Sequence, residues 1–379
     1  QHIRDAGADL LCHASMPELG MGGTHKNAYT GAVHNPYDLD RIPGGSSGGC
    51  AALVAAGCVP LAIGTDTGDS VRKPAAYCGV VGVKPTYGRI SRYGIIPYAS
   101  SLDHVGYFTT NVKDAALALE VLAGRDDHDM TSSYEEVKEY SKLLNGDLTN
   151  KTIGVFKTVM DEVKNEELKA QFNTLVSKLE EKGAKIVEVE MPKEYMELIA
   201  PVYKTIANAE ATANHSNLDG IRFGMREEGQ DLEELMTNTR TKGFSSYVRS
   251  RFVIGSYSLF EENQDRLFRK AQKIRRLIVQ AYAKMFEECD AVLSVAAPTI
   301  APLINESTNV RFGVSSFAEE HMQLQNFSGY PSITLPLGKV DSMPVAVNLT
   351  CKPFEEQKMF DVSSAIEECT GLKGQCLEG

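Results

Sequence analysis

Apolar and polar positions follow two rhythms along this chain. In the segment from Asn111 to Gly124 the apolar residues Val112, Ala115, Ala116, Leu119 and Leu122 recur at helical spacing, with an asparagine able to cap before them and a glycine to stop after them. That spacing predicts a capped helix. Ile153-Gly154-Val155-Phe156 predicts a short strand, an amphipathic helix follows near Glu166 to Lys182, and Lys185-Ile186-Val187-Glu188-Val189 predicts a second strand. Residues 78–85, 290–295 and 332–336 read as buried strands, 200–283 as mostly helical, and 125–150 as polar and turn-rich. There is no internal repeat. This alternation of apolar helices and short strands predicts an α/β fold.

The chain has 379 residues, 42% of them hydrophobic and 23% charged, enough for one large core or two domains. A net charge of −11 argues against a surface that neutralises nucleic-acid phosphates, so any RNA would be held mostly by another chain. No apolar run approaches the roughly 18 residues of a membrane span. The composition suits a cytoplasmic enzyme without a membrane partner. Cysteines stand singly at Cys12, Cys50, Cys58, Cys78, Cys289, Cys351, Cys369 and Cys376, with no C-x-x-C pair, and read as reduced thiols. The histidines show no metal-ligand spacing, and no metal is expected.

Candidate chemistry concentrates in two segments: Pro43-Gly44-Gly45-Ser46-Ser47-Gly48-Gly49-Cys50, and Gly64-Thr65-Asp66-Thr67-Gly68-Asp69-Ser70-Val71-Arg72-Lys73-Pro74. A serine nucleophile needs a base within hydrogen-bond reach, and its oxyanion needs backbone N–H donors that bulky side chains would crowd. Glycines on both sides of a serine serve that need. A Gly/Ser run alone reads as a flexible linker, but here the apolar residues 50–56 follow at once and read as a buried helix begun by Ser46 or Ser47. Residues 59–64 then read as a strand leading to Ser70, which brings both serines to one end of a helix and strand layer. Ser70 by itself could equally be a helix cap.

Together the two segments resemble the amidase signature family, whose hallmark is this Gly/Ser-rich segment followed by a D-x-G-x-S-[IV]-R-x-P loop. The resemblance implies a central mixed β-sheet covered by helices on both faces, forming one amidase domain over residues 1–379. It implies that Ser70 is the acyl-forming nucleophile and that Ser46, on a cis peptide, relays protons. The oxyanion hole would be the backbone N–H groups of Thr67, Gly68, Asp69 and Ser70. Most members have glycine where Asp69 stands, and its carboxylate is expected to face outward. The family's base is a lysine in a G-[IV]-P-x-x-x-K-[DE] segment upstream of the first serine. No such segment occurs, and the first eleven residues are similar to the helix and strand that come after it. The expectation is an N-terminally truncated chain, nearly inactive alone, whose lysine lies outside it. Ser70-Val71-Arg72-Lys73 also spells S-x-x-K, but the S-x-N and K-[ST]-G partners of that class are missing and Pro74 makes a continuing helix awkward.

Later motifs narrow the resemblance. Ile206-Ala207-Asn208-Ala209-Glu210-Ala211 with Asn217-Leu218-Asp219-Gly220-Ile221-Arg222-Phe223-Gly224, then Gly243-Phe244-Ser245-Ser246-Tyr247-Val248-Arg249-Ser250-Arg251-Phe252-Val253-Ile254-Gly255, are similar to the glutamine-hydrolysing subunits of tRNA-dependent amidotransferases. That branch implies glutamine as substrate, B and C partner subunits, and tRNA held mainly by a partner. It implies no cofactor in this chain, with ATP and magnesium used by the partner. Free glutamine carries an α-carboxylate, which an arginine fork pairs well, and an α-ammonium, which an acid should meet. By resemblance Arg251 is the candidate for the first and Glu319 or Glu320 for the second, with Tyr203 and Ser47 completing the substrate-binding set. Two other readings stay open: a stand-alone amidase acting on another amide, and a non-catalytic assembly protein.

Overall fold

The longest strands are two neighbours at the C-terminal end, β7 (Ser332–Val340) and β8 (Met343–Cys351), joined by Asp341 and Ser342, both at positive φ (48° and 66°). Two such residues in succession make the tight turn whose twist matches a hairpin. Around this hairpin the computed structural model, which describes residues 2–307 and 316–377, builds a mixed sheet in the order β1-β3-β2-β7-β8-β6-β4-β5. The other strands are β1 (Ala62–Asp66), β2 (Val81–Lys84), β3 (His104–Thr109), β4 (Thr152–Phe156), β5 (Lys185–Val189) and β6 (Ala291–Val295). From β1 to β6 all neighbours are antiparallel, whereas β4 pairs parallel with both β5 and β6. Parallel β4 and β5 require a crossover, and the predicted amphipathic helix supplies it. Every residue of β8 is buried although its side chains alternate between faces, so helices cover both sides of the sheet.

The helices of seven or more residues are α1 (Gly48–Ala55), α2 (Arg72–Cys78), α3 (Val112–Leu122), α4 (Glu166–Glu181), α5 (Lys193–Asn214), α6 (Leu232–Gly243), α7 (Ser246–Leu259), α8 (Phe268–Met285) and α9 (Glu356–Thr370). Asn111 and Asn165 cap α3 and α4 by accepting the N–H groups of Asp114 and Leu168 at 2.9 Å.

Three expectations are corrected. Pro74 does not prevent a helix: it sits in the first turn of α2, where its missing N–H has no helical acceptor to lose. The strand expected within the first eleven residues does not form. Only His2–Asp5 is helical, and Leu10 and Leu11 are 57% and 71% exposed, with no neighbouring strand to take up the backbone groups. The strand before Ser70 lies at 62–66 rather than 59–64, its edge set by the pairing of Ala62 with Phe108.

Candidate active site

β1 ends at Asp66 and α2 begins at Arg72, so the loop carrying Ser70 is held between them. Asp66 and Arg72 are wholly buried and paired at 2.8 Å. Arg72 uses all its donors: Nε reaches Asp66 Oδ2, Nη2 reaches Asp66 Oδ1, Gly68 O and Asn326 Oδ1, and Nη1 reaches Met322 O and Gln325 Oε1, at 2.7–3.1 Å. Asp66 Oδ2 also accepts the N–H of Val71 at 3.0 Å. Burial alone would raise the Asp66 carboxyl, but the Arg72 guanidinium and these hydrogen bonds hold it well below the usual carboxylate range.

This clamp orients the loop's amides. The carbonyl of Gly68 is bound to Arg72, and the carbonyl of Asp66 accepts Asn326 Nδ2 at 2.9 Å. In a planar trans peptide the C=O and the following N–H point in opposite directions. The N–H groups of Asp69 and Thr67 are therefore turned away from the clamp. Among the described residues, no acceptor takes the N–H of Thr67, Gly68, Asp69 or Ser70. Successive unpaired amides of this kind are what an oxyanion requires. The Thr67 hydroxyl is tied to Asp103 at 2.7 Å.

The Gly/Ser segment is no linker. A Cβ on Gly45 would come within 2.7 Å of Gly22 O, and one on Gly49 within 2.3 Å of Ser15 O, so the backbone is packed too closely for any side chain. The Gly45-Ser46 peptide is cis, and Ser46 is buried at 2% exposure. Ser47 lies before α1, yet its hydroxyl does not cap that helix. It donates to Thr65 O and accepts from Thr65 N, both at 3.1 Å, while its own N–H donates to Ser70 O at 3.1 Å. The Ser47 hydroxyl thus joins the Gly/Ser segment to β1, with its single O–H committed to Thr65 O.

Tyr203, on α5, packs against the same loop. A Cβ on Gly68 would lie 2.9 Å from its hydroxyl. Beyond it, Arg251 on α7 donates to the hydroxyls of Tyr98 and Tyr247 and, at 3.3 Å, to Asn208 Oδ1. Its guanidinium carbon stands 4.8 Å from the Tyr247 ring centre, and its Nε has no partner. The aromatic hydroxyls around it outweigh burial and keep it protonated. Among the described residues, no carboxylate pairs with Arg251. The sequence pattern gives no sign of Tyr98; Tyr247 lies four residues before Arg251 on one helix, a spacing that brings the two side chains together.

On the other side of the loop, Lys73 Nζ lies 3.2 Å from Glu319 Oε2, 3.1 Å from Glu319 O and 3.8 Å from Asp69 Oδ2. Glu320 accepts a hydrogen bond from Gln323. Burial would lower the Lys73 ammonium, yet Glu319, Tyr77, Asp69 and Glu320 together raise it. It stays charged and cannot serve as the base of an S-x-x-K pair. Asp69 is corrected too: its carboxylate, 31% exposed, turns toward Lys73 one helical turn on instead of simply outward. Burial pushes its carboxyl up to about 6, partly offset by Lys73 and reinforced by Asp66 and Glu320.

The amidase family profile matches residues 1–360. The chain belongs to the amidase family. This amidase is 41% identical over 371 residues to the A subunit of glutamyl-tRNA(Gln) amidotransferase from Fusobacterium nucleatum, covering 97% of this chain and 75% of the relative. The corresponding protein of Coxiella burnetii is 41% identical over 372 residues, covering 98% and 76%. The crystal structure of the glutamyl-tRNA(Gln) amidotransferase A subunit from Thermotoga maritima superposes with a TM-score of 0.80 at 32% identity, over 97% of this amidase and 75% of that chain. A peptide amidase in complex with chymostatin gives a TM-score of 0.80 at 27% identity, over 98% and 76%.

Proposed function

We propose that this amidase is the glutamine-hydrolysing subunit of a tRNA-dependent amidotransferase. It would supply ammonia for converting Glu-tRNA(Gln) to Gln-tRNA(Gln) in the cytoplasm, together with B and C subunits. The observation that carries the reading is Arg251: a guanidinium without a carboxylate, caged by tyrosines beside the loop of free amides, is built to receive an amino-acid carboxylate. A stand-alone amidase for neutral amides has no use for it.

In this reading Ser70 Oγ attacks the side-chain amide carbon of glutamine, and the oxyanion collects hydrogen bonds from the free amides of residues 67–70. The Ser70 proton passes to Ser46 and onward to the amide nitrogen, which leaves as ammonia, and water then cleaves the glutamyl ester. The base that drives this relay is not Lys73, whose ammonium is held by two acids, Glu319 and Asp69. The family resemblance assigns it to the lysine of a G-[IV]-P-x-x-x-K-[DE] segment. ATP and magnesium act in the partner, which also holds the tRNA.

The test is ammonia release from glutamine by the product of the complete reading frame, with and without the partner subunits. Release that rises when B and C subunits, ATP and Glu-tRNA are added supports the reading. Fast turnover of simple aliphatic amides without any partner would assign a stand-alone amidase. No release under any of these conditions would assign a non-catalytic assembly protein.

A further inference from the structure

The nucleophile loop has a second anchor outside the Arg72 clamp: Asp103, 7% exposed at the end of the turn that leads into β3. Its carboxylate works in two directions. Oδ1 accepts the Thr67 hydroxyl at 2.7 Å and the Ala99 N–H at 3.1 Å, while Oδ2 accepts the N–H groups of Tyr98 and Ala99 at 2.9 and 3.0 Å. Arg92 donates to its backbone carbonyl, at 3.5 Å, and not to the carboxylate. Burial pushes its carboxyl up to about 6, against the pull of the Thr67 hydroxyl, the two amides and Arg92. Closing the turn of residues 98–103 explains the two amides but neither the charge nor the bond to Thr67. A neutral acceptor would close that turn without the cost of burying a carboxylate that, among the described residues, no cation pairs.

The partners of Asp103 lie at the two ends of the candidate site. Thr67 supplies the first of the four free N–H groups, and with its hydroxyl held, that amide loses the freedom to turn away from a developing oxyanion. The Tyr98 hydroxyl accepts from Arg251, while the Tyr98 N–H is held by Asp103. A further link joins the turn to the clamp, since Asn326 Nδ2 donates to Leu102 O at 3.3 Å and to Asp66 O at 2.9 Å. Glutamine carries its amide carbon and its α-carboxylate on one short carbon chain, so the oxyanion hole and the guanidinium must keep one spacing for both groups to be reached at once. Resting on the glutamine reading above, we infer that Asp103 is a positioning residue that fixes the oxyanion hole relative to Arg251, through Thr67 on one side and Tyr98 on the other.

Steady-state kinetics of glutamine hydrolysis by the product of the complete reading frame, with its partner subunits, test this. Asp103→Asn keeps the size of the side chain and turns one of its acceptors into a donor; it should lower kcat about tenfold or more and raise KM as well. A merely structural role would lower the folded fraction, and the apparent kcat with it, while KM stayed where it was; circular dichroism and melting curves measure that fraction. Thr67→Val removes the hydroxyl and leaves Asp103 on its turn. It should lower kcat, Thr67→Ser should restore it, and adding Thr67→Val to Asp103→Asn should lower kcat little further. An unchanged KM in Asp103→Asn, or a Thr67→Val loss of the same factor with and without Asp103, overturns the inference and leaves the glutamine reading standing. Should Asp103→Asn not fold, Thr67→Val decides: a full kcat, or a loss that Thr67→Ser does not recover, overturns it in the same way. A parent that releases no ammonia from glutamine overturns both.

Discussion

Arg72 and Arg251 carry the same side chain on two sides of one loop, and they do opposite things. Arg72 is fully buried, paired with Asp66, and has every N–H matched to a protein acceptor. Among the described residues Arg251 has only neutral partners, two tyrosine hydroxyls and an asparagine oxygen, and an Nε with none. A satisfied guanidinium is part of the fold. An unsatisfied one without a counter-charge is suited to an anion. Which arginine matters for folding and which for binding is therefore decided by the partners present, not by burial alone, since both are largely shielded from water.

Substitution should separate the two most sharply at Arg72. Arg72→Met leaves Asp66 as an uncompensated buried charge and should cost about 3–5 kcal/mol of stability, read as a large fall in melting temperature. A variant that melts like the parent would remove the clamp from the account. Arg251→Ala should leave melting nearly unchanged and weaken glutamine binding roughly 30- to 100-fold, from about 2–3 kcal/mol of charge-assisted hydrogen bonding; Arg251→Lys should restore little, because an ammonium cannot reproduce the fork. Equal effects of Arg72→Met and Arg251→Ala on folding would erase the distinction between the arginines.

Asp69 gives a smaller, pH-dependent effect. Its folded carboxyl sits near 6, above the ordinary value of 3.8, so the folded state holds that proton more tightly than the unfolded chain. Stability is lost as pH rises through the window from about 4 to 6 and stays lower above it. Asp69→Asn should therefore raise the melting temperature at pH 7.5 and leave it unchanged at pH 4. An increase of the same size at both pH values would show that titration is not the cause. The smallest effect belongs to Ser47→Ala, which removes two hydrogen bonds to Thr65 and should cost about 1–2 kcal/mol without changing glutamine affinity in a folded sample, checked by melting and titration.

Much of this architecture is visible in the sequence where periodicity is undiluted. The capped helix α3 and the unit β4-α4-β5 follow directly from apolar spacing. β3 and β8 do not, because they are buried on both faces and hide polar residues such as His104, Thr109, Asn348 and Thr350 that water-facing alternation would place outside. The two serines are legible because glycine is required where backbones touch, as at Gly45 and Gly49. The tyrosine cage is not, since Tyr98 stands 153 residues from the arginine it contacts and only folding brings them together. The linking role of Ser47 is hidden for a related reason: its hydroxyl bonds Thr65, a partner on another element.

The central claim is that Ser70 attacks glutamine held by Arg251. Mass spectrometry of the acid-quenched product of the complete reading frame, incubated with glutamine and partner subunits, measures it directly. The account predicts a glutamyl ester on the peptide containing Ser70, absent in Ser70→Ala and strongly diminished in Arg251→Ala. A glutamyl adduct on any other residue, or an ester of equal occupancy without Arg251, would contradict it.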